Sequence, residues 1–239
     1  PLVIFEIANN HMGDLVNGKK IISEYYNISK SFKDTIDFAF KFQFRDLDSY
    51  IHQTYKDIGD SQVNRFVSTK LSKKKWLELI SFCRKKKFKV IGTAFDEKSV
   101  DKIISLKLDY LKIASCSMDE WPLLEYIAKK IKKKKILSSL GGASENQIRN
   151  TVSFFANRKK NIQYLYCVAK YPTNPHDLNL EYFSYLQSIY GGKILGFSSH
   201  EYPNEILSGG LSYTLGARIF EKHVNINSKK YKINKYSTN

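Results

Sequence analysis

Apolar runs of five to eight residues recur eight times along the 239-residue chain, and stretches with helical spacing separate them. The runs are VIFEIAN (3–9), DFAFKFQF (37–44), FKVIGTA (88–94), DYLKIAS (109–115), KILSS (135–139), QYLYCV (163–168), KILGFS (193–198) and ARIFEKHV (217–224). Turn residues bound them, and Ile, Val, Phe and Tyr dominate them, so they read as buried strands. Between them Ile21, Ile22, Tyr25 and Ile28 repeat at helical spacing, as do Trp76, Leu77, Ile80 and Cys83, and Leu123, Leu124, Ile127 and Ile131. Ser144 and Gln147 form a capping box that opens a helix carrying Ile148, Val152 and Phe155. Eight strands with crossover helices are the count for an α/β (β/α)8 TIM barrel, here one domain over residues 1–239. An open doubly wound sheet is the alternative, because periodicity does not report closure. Residues 45–72 form a long polar connection with Tyr50, His52, Tyr55 and Gly59, of the length that lids and binding loops have. A helix after the eighth strand is missing from this chain, which implies a trimmed barrel or closure by something outside it.

The formal net charge is +16, almost all of the excess from lysine. The lysines are scattered, and no motif spaces aromatics for base stacking, so nucleic acid is not an expected partner. No apolar run approaches the roughly 20 residues that span a bilayer, so no membrane is expected either. Three separated cysteines, Cys83, Cys116 and Cys167, argue for a reduced, cytoplasmic setting and against a disulfide framework.

In a barrel the chemistry sits at the C-terminal strand ends, and those ends are polar here. The seventh and eighth runs end in His200 and His223, and two imidazoles from neighbouring strands suit a divalent metal. Either histidine alone reads as a hydrogen-bonded strand end; the pair reads as ligands. Lys41 and Lys112 lie inside apolar strands, where a charge is costly unless a carboxylate or an anionic ligand meets it. With strand-end hydroxyls beside them, they look like a cradle for a phosphorylated, carboxylated ligand. A Schiff-base lysine is the other use of such a residue.

In this order, the segments resemble the sialic acid synthase family, the phosphoenolpyruvate-condensing synthases of nonulosonic acids. The resemblance rests on EIANNHMGD (6–14), FKFQ (40–43), IGTAFDE (91–97), LKIAS (111–115), ILSSLGGAS (136–144), YCVAKYPTNP (166–175), GFSSH (196–200) and GARIFEKH (216–223). It implies a metal-dependent condensation of phosphoenolpyruvate with an N-acylhexosamine-like aldose, giving a 2-keto-3-deoxy sugar acid and phosphate. His200 and His223 would hold Mn2+ or Mg2+. Lys41, Thr93, Lys112, Ser115, Ser138 and Ser198 would bind phosphoenolpyruvate, with Gln43 facing the same centre. Asn10, His11 and Tyr171 would line the sugar side. The resemblance also implies a homodimer.

Departures from the family pattern cluster on the sugar side. Met12 stands where an acidic or amide residue is common, Ser117 where a glutamate is frequent, and Ser199 where an aspartate precedes the first metal histidine. HVNINSKKYKINKYSTN replaces the usual HFT…GPD tail, and the family's antifreeze-like domain has no counterpart in these residues. They point to an acceptor other than N-acetylmannosamine, with the sugar side completed by another region or chain. Two alternatives stay open. One is an aldose phosphate acceptor, which a basic cluster with Arg45 and Lys56 in the 45–72 connection would favour. The other is a non-catalytic basic binding barrel.

Overall fold

A computed structural model describes residues 1–55, 58–205 and 207–238. Eight strands run parallel in sequence order: β1 (Leu2–Glu6), β2 (Asp37–Phe44), β3 (Lys89–Ala94), β4 (Tyr110–Ile113), β5 (Lys135–Ser139), β6 (Ile162–Cys167), β7 (Ile194–Ser199) and β8 (Ile219–His223). β8 pairs back onto β1, with Leu2 opposite Ile219 and Glu6 opposite His223, so the sheet closes into a barrel. Closure removes the open doubly wound alternative.

Helices α1 (Leu15–Ser29), α2 (Leu47–Tyr50), α3 (Ser61–Ser68), α4 (Lys73–Lys85), α5 (Glu97–Ser105), α6 (Trp121–Lys130), α7 (Glu145–Asn157), α8 (Leu180–Tyr190) and α9 (Leu207–Thr214) occupy the connections. The larger ones cover the outside of the barrel with their apolar stripes. α1 buries Ile21, Ile22 and Tyr25 but leaves Ile28 exposed. α4 buries Trp76, Leu79, Ile80 and Cys83, while Leu77 faces solvent. The α7 capping box forms as its sequence indicates, with Ser144 accepting from the Gln147 amide. The 45–72 connection is not structureless: Asp60 caps α3 by accepting from the Gln62 and Val63 amides. Among the described residues no helix follows β8. Instead residues 224–238 fold back, and Val224 pairs with Thr238. No helix of the described residues is long and apolar enough to cross a membrane.

The barrel interior is layered, because alternate residues of each strand face inward. Its apolar layer comprises Leu2, Ile4, Ala39, Ile91, Leu137, Leu165 and Ile219, with Tyr110 packed against them. β7 contributes Gly196 at this level, opposite Leu165 and Ile219. A β-carbon there would sit 2.9 Å from Leu165 Cβ and 3.0 Å from its Cα, in space the leucine already fills. Gly196→Ala should therefore cost about 1–3 kcal/mol by overpacking. Urea unfolding midpoints of the two proteins would measure it, and an unchanged midpoint would mean that the interior yields more easily than its packing indicates.

Candidate active site

Two residues beyond the apolar layer, each strand turns a different kind of side chain inward. Glu6, Lys41, Thr93, Lys112, Ser139, Cys167, Ser198 and Glu221 form this ring, one from each strand from β1 to β8. The sequence changes from apolar to polar in a single pleat all the way round. That change places a charged cluster at the C-terminal mouth, with a dry core beneath it.

Lys41 lies between two carboxylates, ion-paired with Glu6 and 3.2 Å from Glu221 Oε1, and it donates to Thr93 Oγ1 at 3.1 Å. Lys112 donates to Ser139 Oγ at 2.5 Å and lies 3.8 Å from Glu221 Oε2. Ser198 donates to Glu221 Oε1 at 3.4 Å. Glu221 is thus the hub that both lysines share. Burial opposes its charge, yet Lys112 and Lys41 attract it strongly enough to hold the carboxyl down to about 2. Burial likewise opposes the charge of Lys41, and Glu221 and Glu6 outweigh it, so that lysine stays firmly protonated. For Lys112 burial wins, and its ammonium is less favoured than usual. Two cations and two carboxyl groups share one buried ring, so each supplies the partner that keeps the others affordable.

Above the ring, on the next inward positions, stand Gln43 of β2 and His223 of β8. The rings of His200, just past β7, and His223 are 5.4 Å apart between centroids. Burial pushes the His200 imidazolium down to about 4 and that of His223 well below its ordinary value, so both rings are neutral at pH 7. His200 Nδ1 lies 3.2 Å from the Val168 carbonyl. A carbonyl only accepts, so Nδ1 carries the proton and the lone pair of this imidazole is on Nε2. His223 Nδ1 is shut off from solvent and has no partner among the described residues. Two neutral imidazoles, one with an orphaned nitrogen, fit a divalent cation. No group of three or more His, Cys, Asp or Glu side chains able to hold a metal occurs among the described residues. A cation here would thus have two protein ligands and several open positions.

The sequence-derived candidates do not all converge. Lys41, Thr93, Lys112 and Ser198 share the inner ring, and Ser115, Gln43, His223, Asn10 and Tyr171 line a cavity of about 620 Å³ at its mouth. Tyr171 packs on His200 with ring centroids 4.1 Å apart. Ser138 belongs elsewhere: it pairs in register with Ile113 and Tyr164, both of the helix-facing layer, and Ser139 is the inward residue of β5. A slip of one residue moves a strand side chain to the opposite face. His11 also stands apart. Its Nδ1 accepts from the Gly13 amide, and its ring packs edge-on against Trp76, 5.4 Å away, in a small adjoining pocket.

Asn10 reaches the cavity, but its amide is occupied with the chain's own tail. Its Nδ2 donates to the Val224 carbonyl at 2.8 Å and to Ser237 Oγ at 3.2 Å, and its Oδ1 accepts from Asn234 at 3.3 Å. The tail so anchored brings Tyr236 over the histidines, its ring 5.1 Å from that of His223 and 5.5 Å from that of Tyr171. Glu6, Ser139, Glu221, Tyr236 and Asn234 are site residues that motif reading passes over. Period-two counting back from His223 finds Glu221; nothing local in the sequence marks Tyr236.

The sequence profile of the NeuB family matches residues 28–236. This chain belongs to the NeuB family. The NeuB match extends from α1 through the eighth strand into the tail, and so includes both lysines and both histidines. Among solved structures, spore coat polysaccharide biosynthesis protein E of Chromobacterium violaceum is 39% identical, with a TM-score of 0.94, over 100% of this chain and 70% of that one. The N-acetylneuraminic acid (sialic acid) synthetase of Leptospira borgpetersenii serovar Hardjo-bovis is 29% identical, with a TM-score of 0.83, over 99% of this chain and 77% of that one. The N,N'-diacetyllegionaminic acid synthase of Campylobacter jejuni is 29% identical over 229 residues, 93% of this chain and 66% of the relative. The chain spans about three fifths of the length of most of the curated relatives it matches.

Proposed function

We propose that this NeuB-family barrel condenses phosphoenolpyruvate with the aldehyde form of an aldose, giving a 2-keto-3-deoxy sugar acid and phosphate. The observation that carries the reading is the vertical order of the site, in which two buried lysines lie beneath two neutral imidazoles at the mouth of one barrel. Membership of a family with sialic and legionaminic acid synthases supports the same chemistry.

In the reaction the methylene carbon of phosphoenolpyruvate bonds to the aldehyde carbon. Water adds to C2, and the C–O bond to phosphate then breaks to leave the ketone. Lys41 and Lys112, with the hydroxyls of Thr93, Ser139 and Ser198, are the donors for the phosphate and carboxylate of phosphoenolpyruvate. Their charges are already fixed in place by Glu6 and Glu221, so negative charge gathering on the departing phosphate meets oriented partners. Ser115 and Gln43 reach the same cavity and would hold the bound reactants in register. Tyr171 and Tyr236 wall off the histidine side from bulk solvent. A manganese or magnesium ion held by His200 and His223 would supply Lewis-acid polarisation of the aldehyde.

Phosphate release from phosphoenolpyruvate, measured across a panel of aldoses with manganese and with a chelator, tests this directly. Release should require both an aldose and the cation. Release that survives chelation would remove the metal from the account, and silence with every aldose would remove the condensation.

A further inference from the structure

The lysines that are scattered along the sequence are gathered at one end of the fold. Seven segments lead from a helix into the next strand: 30–37, 84–89, 106–110, 130–135, 158–162, 191–194 and 215–219. Together they hold 18 of the chain's 39 Lys and Arg but only 3 of its 23 Asp and Glu, so +15 of the net +16 is theirs. The rest of the chain, taken together, is within one charge of neutral. In a parallel barrel all such segments lie at the N-terminal ends of the strands, opposite the end that carries the lysine ring and the histidines. RKKKFK (84–89), KIKKKK (130–135) and RKK (158–160) supply most of the excess, where the chain enters β3, β5 and β6. None of these 18 cations is buried. Among the described residues only Lys89 and Lys130 of the set have an ion-pair partner, Asp37 and Asp101.

So one-sided a field attracts a polyanion, and the side chains around it favour one kind. Several aromatic rings at this end are already covered by its cations. Lys33 Nζ lies 4.5 Å from the centre of the Tyr26 ring and 4.7 Å from that of Phe88, and the Arg158 guanidinium carbon lies 3.7 Å from that of Phe154. Rings so covered offer bases no open face. Apolar side chains stand exposed at the same end instead, among them Ile28, Phe32, Ile189 and Leu215. Turns arranged around a barrel end also present their charge as a broad face, not as a groove that tracks a strand. We infer that this end of the barrel is a docking face for an anionic bilayer surface, its cations over lipid phosphates and carboxylates and its exposed apolar side chains in the headgroup layer. The pose turns the active-site mouth away from the lipid, open to soluble substrates. Resting on a bilayer differs from spanning one, which no described helix is long and apolar enough to do. The basic cluster sought in the 45–72 connection is no part of this face, and its Lys56 lies outside the described residues. The inference is independent of the condensation reading.

Flotation with lipid vesicles tests it. At physiological ionic strength, phosphatidylcholine vesicles with about a third phosphatidylserine should carry at least about tenfold more protein than phosphatidylcholine alone. High salt should release it, since screening weakens exposed charges. The triple variant Lys132→Glu, Lys133→Glu and Lys159→Glu changes three exposed residues. It should abolish flotation without lowering the urea unfolding midpoint, because it relieves like-charge repulsion. Phe32→Trp reports the pose: its fluorescence should shift to the blue on the anionic vesicles and hold its position on random oligonucleotides. Equal flotation with the two vesicle types, or none with either, would overturn the inference. So would flotation that survives the triple reversal, or that leaves the Phe32→Trp emission unmoved, because docking would then use another face. Tighter binding to random oligonucleotides than to anionic vesicles at the same salt would also overturn it and assign the face to nucleic acid.

Discussion

His223→Ala should lower phosphate release from phosphoenolpyruvate by about a thousandfold or more, the scale on which loss of a principal electrostatic group slows catalysis. Excess manganese should not restore it fully. Among the described residues the Nδ1 of His223 is buried and unpartnered, and its ring lies 5.4 Å from that of His200, above the ring of lysines. On the proposed assignment, removing His223 would halve the protein ligands available to a cation. Equilibrium dialysis should show metal content falling together with turnover. Lost turnover with full metal content would move His223 from ligand to some other role. The fold should survive, because the truncation opens the site towards the cavity rather than the dry interior.

Glu221→Gln should have the larger effect on stability. Among the described residues Glu221 is the one carboxylate that reaches both lysines, and at neutral pH it is ionised. The amide keeps its size but removes the charge, leaving Lys112 with hydroxyl and carbonyl partners and Lys41 with Glu6 and the Thr93 hydroxyl. Breaking a buried pair from one side typically costs about 3–5 kcal/mol. Urea unfolding should show a loss of that size, whereas Glu221→Gln with no loss would mean that water or ligand, not the carboxylate, carries the lysine charges. A double substitution that also replaces Lys112 with Met should recover part of the loss, since it removes one orphaned charge as well.

The barrel was legible because every strand is buried on both faces and so shows as an uninterrupted apolar run. The buried polar rung was half legible. Lys41, Lys112, His200 and His223 stand out because charged or titratable groups are conspicuous inside such runs. Glu6 and Glu221 are as deeply placed, but no motif gives them a role, which shows only when the partner lysines are seen across the barrel. In β5 two adjacent serines leave the inward face undecided, and only pairing with β4 and β6 selects Ser139 over Ser138. Helical stripes suffered the same ambiguity: Leu77 and Leu79 are both apolar, and packing against the barrel selects Leu79. α3 offers no buried stripe to read, since it buries none of its residues and is defined by its Asp60 cap. The roles of Asn10 and Tyr236 depend on contacts spanning more than two hundred residues in one case and on the tail's return path in the other. No local pattern encodes either.

The central claim, that this barrel joins phosphoenolpyruvate to an aldose by breaking its C–O bond, is tested most directly by isotope and mass together. Phosphoenolpyruvate labelled with oxygen-18 at the bridging position would be incubated with manganese, the protein and a reactive aldose. The account predicts one labelled phosphate released for each 2-keto acid formed, the acid carrying three more carbons than the aldose and no bridging label. Label retained in pyruvate, with no new carbon–carbon bond, would contradict it.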